Sequence, residues 1–365
     1  MILRIIAATI FLLFWTPPVN AQVTVATDVT EDALSANSQP KLARDAHGAI
    51  YVTFVKGAGG VSQIFVARSA DGRRWTIQQV TREAGDSRFP TLALGSDGRV
   101  HLAWTQYTEP AGKVYYASFD GRRWSRPINL SLGLQYAGVP AVGVDLQQQP
   151  HVVWYGIRRE APSVRTPHGS IYEILYRGFS RDRWSEPAVI SPGIPDSINP
   201  ALAVDGSGVL HSAWYQFDLR RYQVQYTQRT RAWGDPTQIS FGGEDSAAVA
   251  LAAGADGSAY AVWERRGPTN RIYFAERRAR WRGQEVISPS GQHATDPTVT
   301  IDTSNRVYVA WASNGTIYLR RRDGQWRGVE RLTRDGRHSS PVLSTRGPAV
   351  DLVWVEDRGS VRVLR

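Results

Sequence analysis

Acid–base and hydrogen-bonding residues recur at one place in a repeated unit. Six prolines, with Val249 standing in for a seventh, mark that unit. Four residues before them stand Ala36, Asp86, Tyr136, Asp196, Asp245, His293 and Arg337. The next positions include Ser87, Ser197, Ser246 and His338. Asp86, Asp196 and Asp245 are candidate catalytic carboxylates, able to exchange protons or to accept from sugar hydroxyls, and His293 is a candidate proton carrier. The structural alternative is turn chemistry, in which Asp and Ser cap backbone amides.

A second set of residues suits the capture of an anion. The stretch "YGIRREAPSVRTPHGS" (155–170) brings Tyr155, Arg158 and Arg159 together. "YQFDLRRY" brings Tyr215 and Arg221, and "ERRGPTNR" brings Glu264 and Arg265. Arg337 joins them from the first set. A guanidinium binds carboxylate or sulfate through two parallel hydrogen bonds, and a tyrosine beside it offers a stacking face. These eight residues are the candidate ligand-binding set. No His/Asp/Glu cluster has metal-ligand spacing, and there is no phosphate loop, dinucleotide fingerprint or Gly-x-Ser-x-Gly turn. Neither a metal nor a cofactor is expected.

The elements that must position these residues are repeats. One aromatic marker closes a strand-like run at Phe54, Trp104, Trp154, Trp214, Trp263, Trp311 and Trp354, at intervals of 50, 50, 60, 49, 48 and 43 residues. A second follows a later strand at Trp75, Trp124, Trp184, Trp233, Trp281 and Trp326. Each unit reads as four short strands, with alternating apolar residues and Gly/Asp turns. No part of residues 22–365 has a helical period. Such units predict an all-β, seven-bladed β-propeller of four-stranded blades. The last unit ends at "SVRVLR" without a fourth strand, and "TVATDVT" (24–30) supplies one. The N-terminal strand is therefore expected to complete the last blade and hide two sheet edges. The markers are expected to be core rather than stacking platforms. His101, His151 and His211 recur three residues before a marker, which predicts a repeated structural role.

This layout puts two kinds of loop on one face: second-to-third-strand loops and interblade loops. Both candidate sets fall on that face. The 60-residue interval places an insert in the third blade alone, which breaks the ring's symmetry as a single specific site requires.

The chain has 365 residues and a formal net charge of +10. Residues 1–21 read as a secretory signal, with Arg4, an apolar stretch and Val19-Asn20-Ala21 before the cut. Cleavage after Ala21 leaves 22–365 as one propeller domain, periplasmic or secreted, with no membrane span. There is no cysteine, so no disulfide holds the fold. The basic balance points to an acidic glycan or polysaccharide rather than nucleic acid as partner. A monomer is expected.

The turns before the second marker, "SADGRRW" (69–75), "SFDGRRW" (118–124), "RRDGQW" (321–326) and "SRDRW" (180–184), resemble the Asp-box of the sialidase-like (BNR-repeat) β-propellers. The blades ending at Trp233 and Trp281 have lost the Asp and Gly. The resemblance spans nearly all of residues 22–365. It implies the propeller fold and, at an active site, three carboxylate-binding arginines, a tyrosine–glutamate pair and an aspartate. The family's Arg-Ile-Pro motif is absent, and that set does not map onto residues of this chain. Seven-bladed lectins and propeller polysaccharide lyases are similar at the same looseness.

Three functions follow as expectations. The first is an exported carbohydrate-binding propeller that recognises acidic glycans. The second is a carbohydrate-active enzyme. As a hydrolase it would use two of Asp86, Asp196, Asp245 and Asp296, set roughly 5–9.5 Å apart; as a lyase it would use His and Tyr. The third is a cell-envelope protein-interaction scaffold.

Overall fold

The computed structural model describes residues 22–30, 32–34, 39–108, 111–158, 171–191, 196–334, 336–356 and 359–364. They form seven antiparallel sheets, blades 1 to 7 in chain order. The inner strands are Leu42–Arg44, Ser87–Leu94, Tyr136–Val144, Ser197–Val204, Asp245–Ala253, Ala294–Ile301 and His338–Arg346. Each packs on the next, and the seventh packs on the first, closing a ring. Below its mouth the channel is walled by aliphatic side chains such as Leu92, Leu202, Leu251, Val299 and Leu343.

Blade 7 is completed by the N-terminal strand, as expected. Val23–Ala26 pairs antiparallel with Ser360–Leu364, in the register Val23↔Val363, Thr24↔Arg362 and Ala26↔Val361. The amide of Val29 donates to the carbonyl of Gly359 at 2.8 Å. Val25, Ala26 and Val29 are buried in the core shared by blades 1 and 7.

The two marker series do different packing. Phe54 and Trp104, Trp154, Trp214, Trp263, Trp311 and Trp354 are fully buried. Trp104, Trp263 and Trp311 each stack on a third-strand tyrosine of the same blade, with centroids 6.0, 6.1 and 6.0 Å apart. The second series is half-buried and bridges blades. Trp184, Trp233, Trp281 and Trp326 lie edge-on to Tyr116, Tyr176, Tyr226 and Phe274 of the preceding blade at 4.9, 5.2, 4.8 and 5.0 Å. Such pairs add about 0.5–1.5 kcal/mol each beyond their buried area.

The Asp-box turns are local. Asp71 Oδ1 accepts from the amides of Arg73 and Arg74 at 2.8 and 2.9 Å, and Asp120 Oδ1 accepts from Arg122 and Arg123 at 2.8 Å each. These amides pull the Asp71 carboxyl down to about 2.

The repeated histidines sit at the start of the second strand, far from the binding loops. His151 joins the Tyr176 hydroxyl (2.8 Å) and Asp145 (3.0 Å); His211 joins Tyr226 (2.7 Å) and Asp205 (3.2 Å). His101 joins Tyr116 at 2.6 Å, and its Nε2 is buried with no partner. Blade 2 has Gly95 where blades 3 and 4 carry that aspartate.

One irregularity recurs in the inner strand of blades 2 to 7. The pairing slips just before the marker proline, for example from Arg88↔Thr105 to Thr91↔Ala103, so Phe89 and Pro90 together oppose Trp104. A proline has no N–H to give the ladder, so a bulge accommodates it without losing a bond. The residue before it takes a left-handed conformation: Phe89 (φ 55°), Val139 (49°), Asn199 (54°), Ala248 (49°), Asp296 (53°) and Ser340 (51°). None is glycine, and such positions store roughly 1–3 kcal/mol apiece.

Candidate functional site at the channel mouth

The ring four residues before each proline holds the loops together. Asp86 Oδ1 accepts from the amide of Ser62 at 2.7 Å, Asp196 Oδ1 from Tyr172 at 2.7 Å, and Asp245 Oδ1 from Tyr222 at 2.8 Å. His293 Nδ1 accepts from Asn270 at 3.3 Å. Each ties an interblade loop to the start of the preceding blade's third strand. Turn chemistry thus accounts for one oxygen of each aspartate. Asp86 also faces Arg88 at 3.4 Å, and Asp196, fully buried, also accepts from the Tyr222 hydroxyl at 3.3 Å. The Ser62 amide, ahead of Arg88, holds the Asp86 carboxyl below its ordinary range.

The candidate arginines are divided. Arg158 forms a two-pronged pair with the buried Glu173, at 2.5 and 2.9 Å. Arg221 donates to the Gly242 carbonyl at 2.9 Å. Arg265 is buried, lies 4.0 Å over the Tyr273 ring and donates to Gln284 at 2.9 Å, so it works as packing. Arg337 is exposed and makes no ion pair among the described residues. Ala36, Arg159 and most of the blade 3 insert lie outside the described residues.

Two groupings at the mouth were not legible in the sequence, although Tyr136, Tyr155, Tyr215, Glu264 and Asp296 were each named singly. The first is a tyrosine wall over blades 2 to 4. The rings of Tyr136, Tyr155 and Tyr172 lie 5.2–5.8 Å apart, and Tyr215 and Tyr222 lie 5.4 Å apart. Two of its hydroxyls meet: Tyr136 Oη lies 3.4 Å from Tyr155 Oη. Burial pushes Tyr155 up to about 12. Alternation put these tyrosines on strands, but only the ring geometry brings three blades' worth together.

The second is a charged cluster over blades 5, 6 and 1. Glu264 is buried, accepts from Asn270 Nδ2 at 2.5 Å and faces Arg266 at 3.4 Å. Burial raises its pKa, and the Asp296 charge raises it further against Arg266. Asp296 is exposed and lines a cleft between blades 6 and 7. Partial desolvation raises its pKa, against the Ser340 amide, Arg266 and Lys41. Lys41 is buried one residue before the first strand of blade 1, where burial drops it to about 7 despite Asp296. Asp296, one residue before its proline, was among the carboxylates expected of a hydrolase; what the sequence did not show is that the charges of Glu264 and Lys41 come near it.

No protein-family model and no curated protein matches the sequence. Solved structures do match in fold. An ulvan lyase, bound to -[GlcA(1-4)Rha3S]-, is 11% identical over 94% of this chain and 95% of its own, with a TM-score of 0.64. A protein of unknown function from Dyadobacter fermentans is 14% identical over 94% and 98%, at 0.56. A Hadza microbial sialidase is 13% identical over 75% and 63%, at 0.51. The chain is an all-β seven-bladed propeller, closed by its N-terminal strand. It shares its architecture, at low identity, with propellers that include carbohydrate-active enzymes.

Proposed function

We propose that this protein is a carbohydrate-active enzyme that lays an acidic glycan over the tyrosine wall and works on it by acid–base chemistry at Asp296, with Glu264 as its partner carboxylate. One observation carries the reading: Asp296 is an exposed carboxyl with a raised pKa, and its charge reaches the buried Glu264, whose pKa is raised as well. Shifted acids gathered at one place are marks of functional sites. Two carboxyls in unlike surroundings divide into acid and base. The tyrosine faces suit sugar rings, and Arg266 and Arg337 suit anionic substituents. The fold neighbour bound to -[GlcA(1-4)Rha3S]- supports an acidic polymer as substrate class. On this reading residues 1–21 direct export, and the mature protein works as a monomer outside the cytoplasm.

The second reading is binding without turnover. It is favoured by the commitment of Asp86, Asp196 and Asp245 to loop amides. A panel of acidic and neutral polysaccharides, scored for binding and for product release, separates the two. Asp296→Asn and Glu264→Gln should each bind normally and lose about 10²-fold or more in turnover. Wild-type turnover in Asp296→Asn would remove the acid from this site. Binding with no product from any polymer would leave the binding reading, and no binding at all would leave the scaffold.

A further inference from the structure

The mouth has a side compartment that shares only Asp296 and Arg337 with this chemistry. Between blades 6 and 7 lies a cleft of about 470 Å³. It opens because the second-to-third-strand connection of blade 6 is only the two-residue turn Asn314-Gly315, with φ 49° and 73°. Both turn residues take the positive φ that an Asn-Gly hairpin provides.

Two polar side chains of the cleft are buried and unsatisfied. His338 is 4% exposed, and neither ring nitrogen has a partner. Ser313 is 2% exposed, and its Oγ has none. An orphaned buried polar group costs roughly 1–3 kcal/mol, so two such groups on the facing walls of one cleft are places for a water or a ligand atom to bond. The His338 ring is held edge-on to Trp354 at 6.4 Å, and its backbone amide donates to Gly315 at 3.0 Å. Whichever tautomer is present, a neutral imidazole offers one donor and one acceptor. Asp296 and Glu356 also line the cleft, and Arg337 stands exposed at its rim.

We propose that this cleft is a subsite for one sugar ring, whose hydroxyls bond His338 and Ser313 and whose anionic substituent pairs with Arg337. The cleft offers both donors and acceptors, which hydroxyls can use together. A bare anion would meet two carboxylates, and an apolar ligand would leave His338 unpaired. Because Asp296 lines the same cleft, the bound ring abuts the acid. This inference rests on the glycan-processing reading above and adds where the charged sugar sits.

The test follows the histidine side-chain resonances of the full-length protein by NMR. D-glucuronate, glucose 6-sulfate and neutral glucose are added in separate titrations up to their solubility. The His338 ring signals should move with the two charged sugars, and the stronger of these identifies carboxylate or sulfate as the substituent. Ser313→Ala and Arg337→Ala should each weaken charged-sugar binding about fivefold or more, and Arg337→Ala should abolish the preference over glucose. Both changes spare the Trp354 packing, which removal of His338 would disturb. If a polysaccharide binds and is processed while His338 stays silent and both variants bind like wild type, the subsite is wrong and the enzyme reading stands. If no polysaccharide binds the wild-type protein, both fall together.

Discussion

The side-chain amide of Gln39 donates to the backbone carbonyl of Pro200 at 2.8 Å, joining blade 1 to blade 4 across the channel, 161 residues apart. Gln39 is buried, and its own carbonyl accepts from Lys41 Nζ at 3.2 Å. The bar separates the polar mouth from the aliphatic throat. Gln39→Ala strands the Pro200 carbonyl, and urea unfolding should report a loss of about 1–3 kcal/mol. An unchanged midpoint would mean the contact contributes nothing.

The bulge strain is measurable at Ala248, whose side chain has no polar role. Ala248→Gly keeps the backbone at φ 49° and removes the clash of Cβ with it. It should stabilise the protein by about 1 kcal/mol, in spite of the added freedom of the unfolded chain. A lower denaturation midpoint would show that the bulge is relaxed.

Lys41 links stability to alkaline pH. Its folded pKa, about 7, lies below the unfolded value of 10.5, so the unfolded chain binds the extra proton between those limits. Stability from this group should therefore rise as pH climbs from about 7 to 10.5, and be lowest below 7. Lys41→Met should stabilise the protein by about 3–5 kcal/mol at pH 6 and flatten the rise. Melting curves at pH 6 and 9 for both proteins decide it; parallel shifts would show that Lys41 keeps its charge.

The acid side belongs to the histidines. Burial lowers His101 to about 4, against an ordinary 6.5. Its contribution is complete above 6.5 and is lost as pH falls toward 4. Burial also lowers His151 and His211, but there Asp145 and Asp205 oppose it. His101→Gln should remove about 3 kcal/mol of the stability change between pH 6.5 and 4. A slope identical to wild type would assign the acid loss to other groups.

Much of the architecture was legible in the residues. Twelve tryptophans at two fixed points of a repeat gave blade number and strand order, because each indole must be buried between sheets that cannot stand alone. The unmatched last unit and residues 24–30 gave the closure. The placement of the loops on one face followed from strand order, and the bonds of Asp86, Asp196 and Asp245 to loop amides agree with the turn role foreseen beside the catalytic one. The tyrosine wall was invisible, since its members lie on three blades and no spacing joins them.

Local pattern determined this protein's repeats, turns, core and ring closure, because those depend on hydrophobic period and turn chemistry within about fifty residues. Only the tertiary structure decided which charges meet. Lys41 and Asp296 interact because the ring folds blade 1 back toward blade 6. Asp296 occupies the mouth because a bulge opposite Trp311 sets its backbone at φ 53°. The electrostatics of such groups depend on what surrounds them in space, and the order of the chain does not contain that.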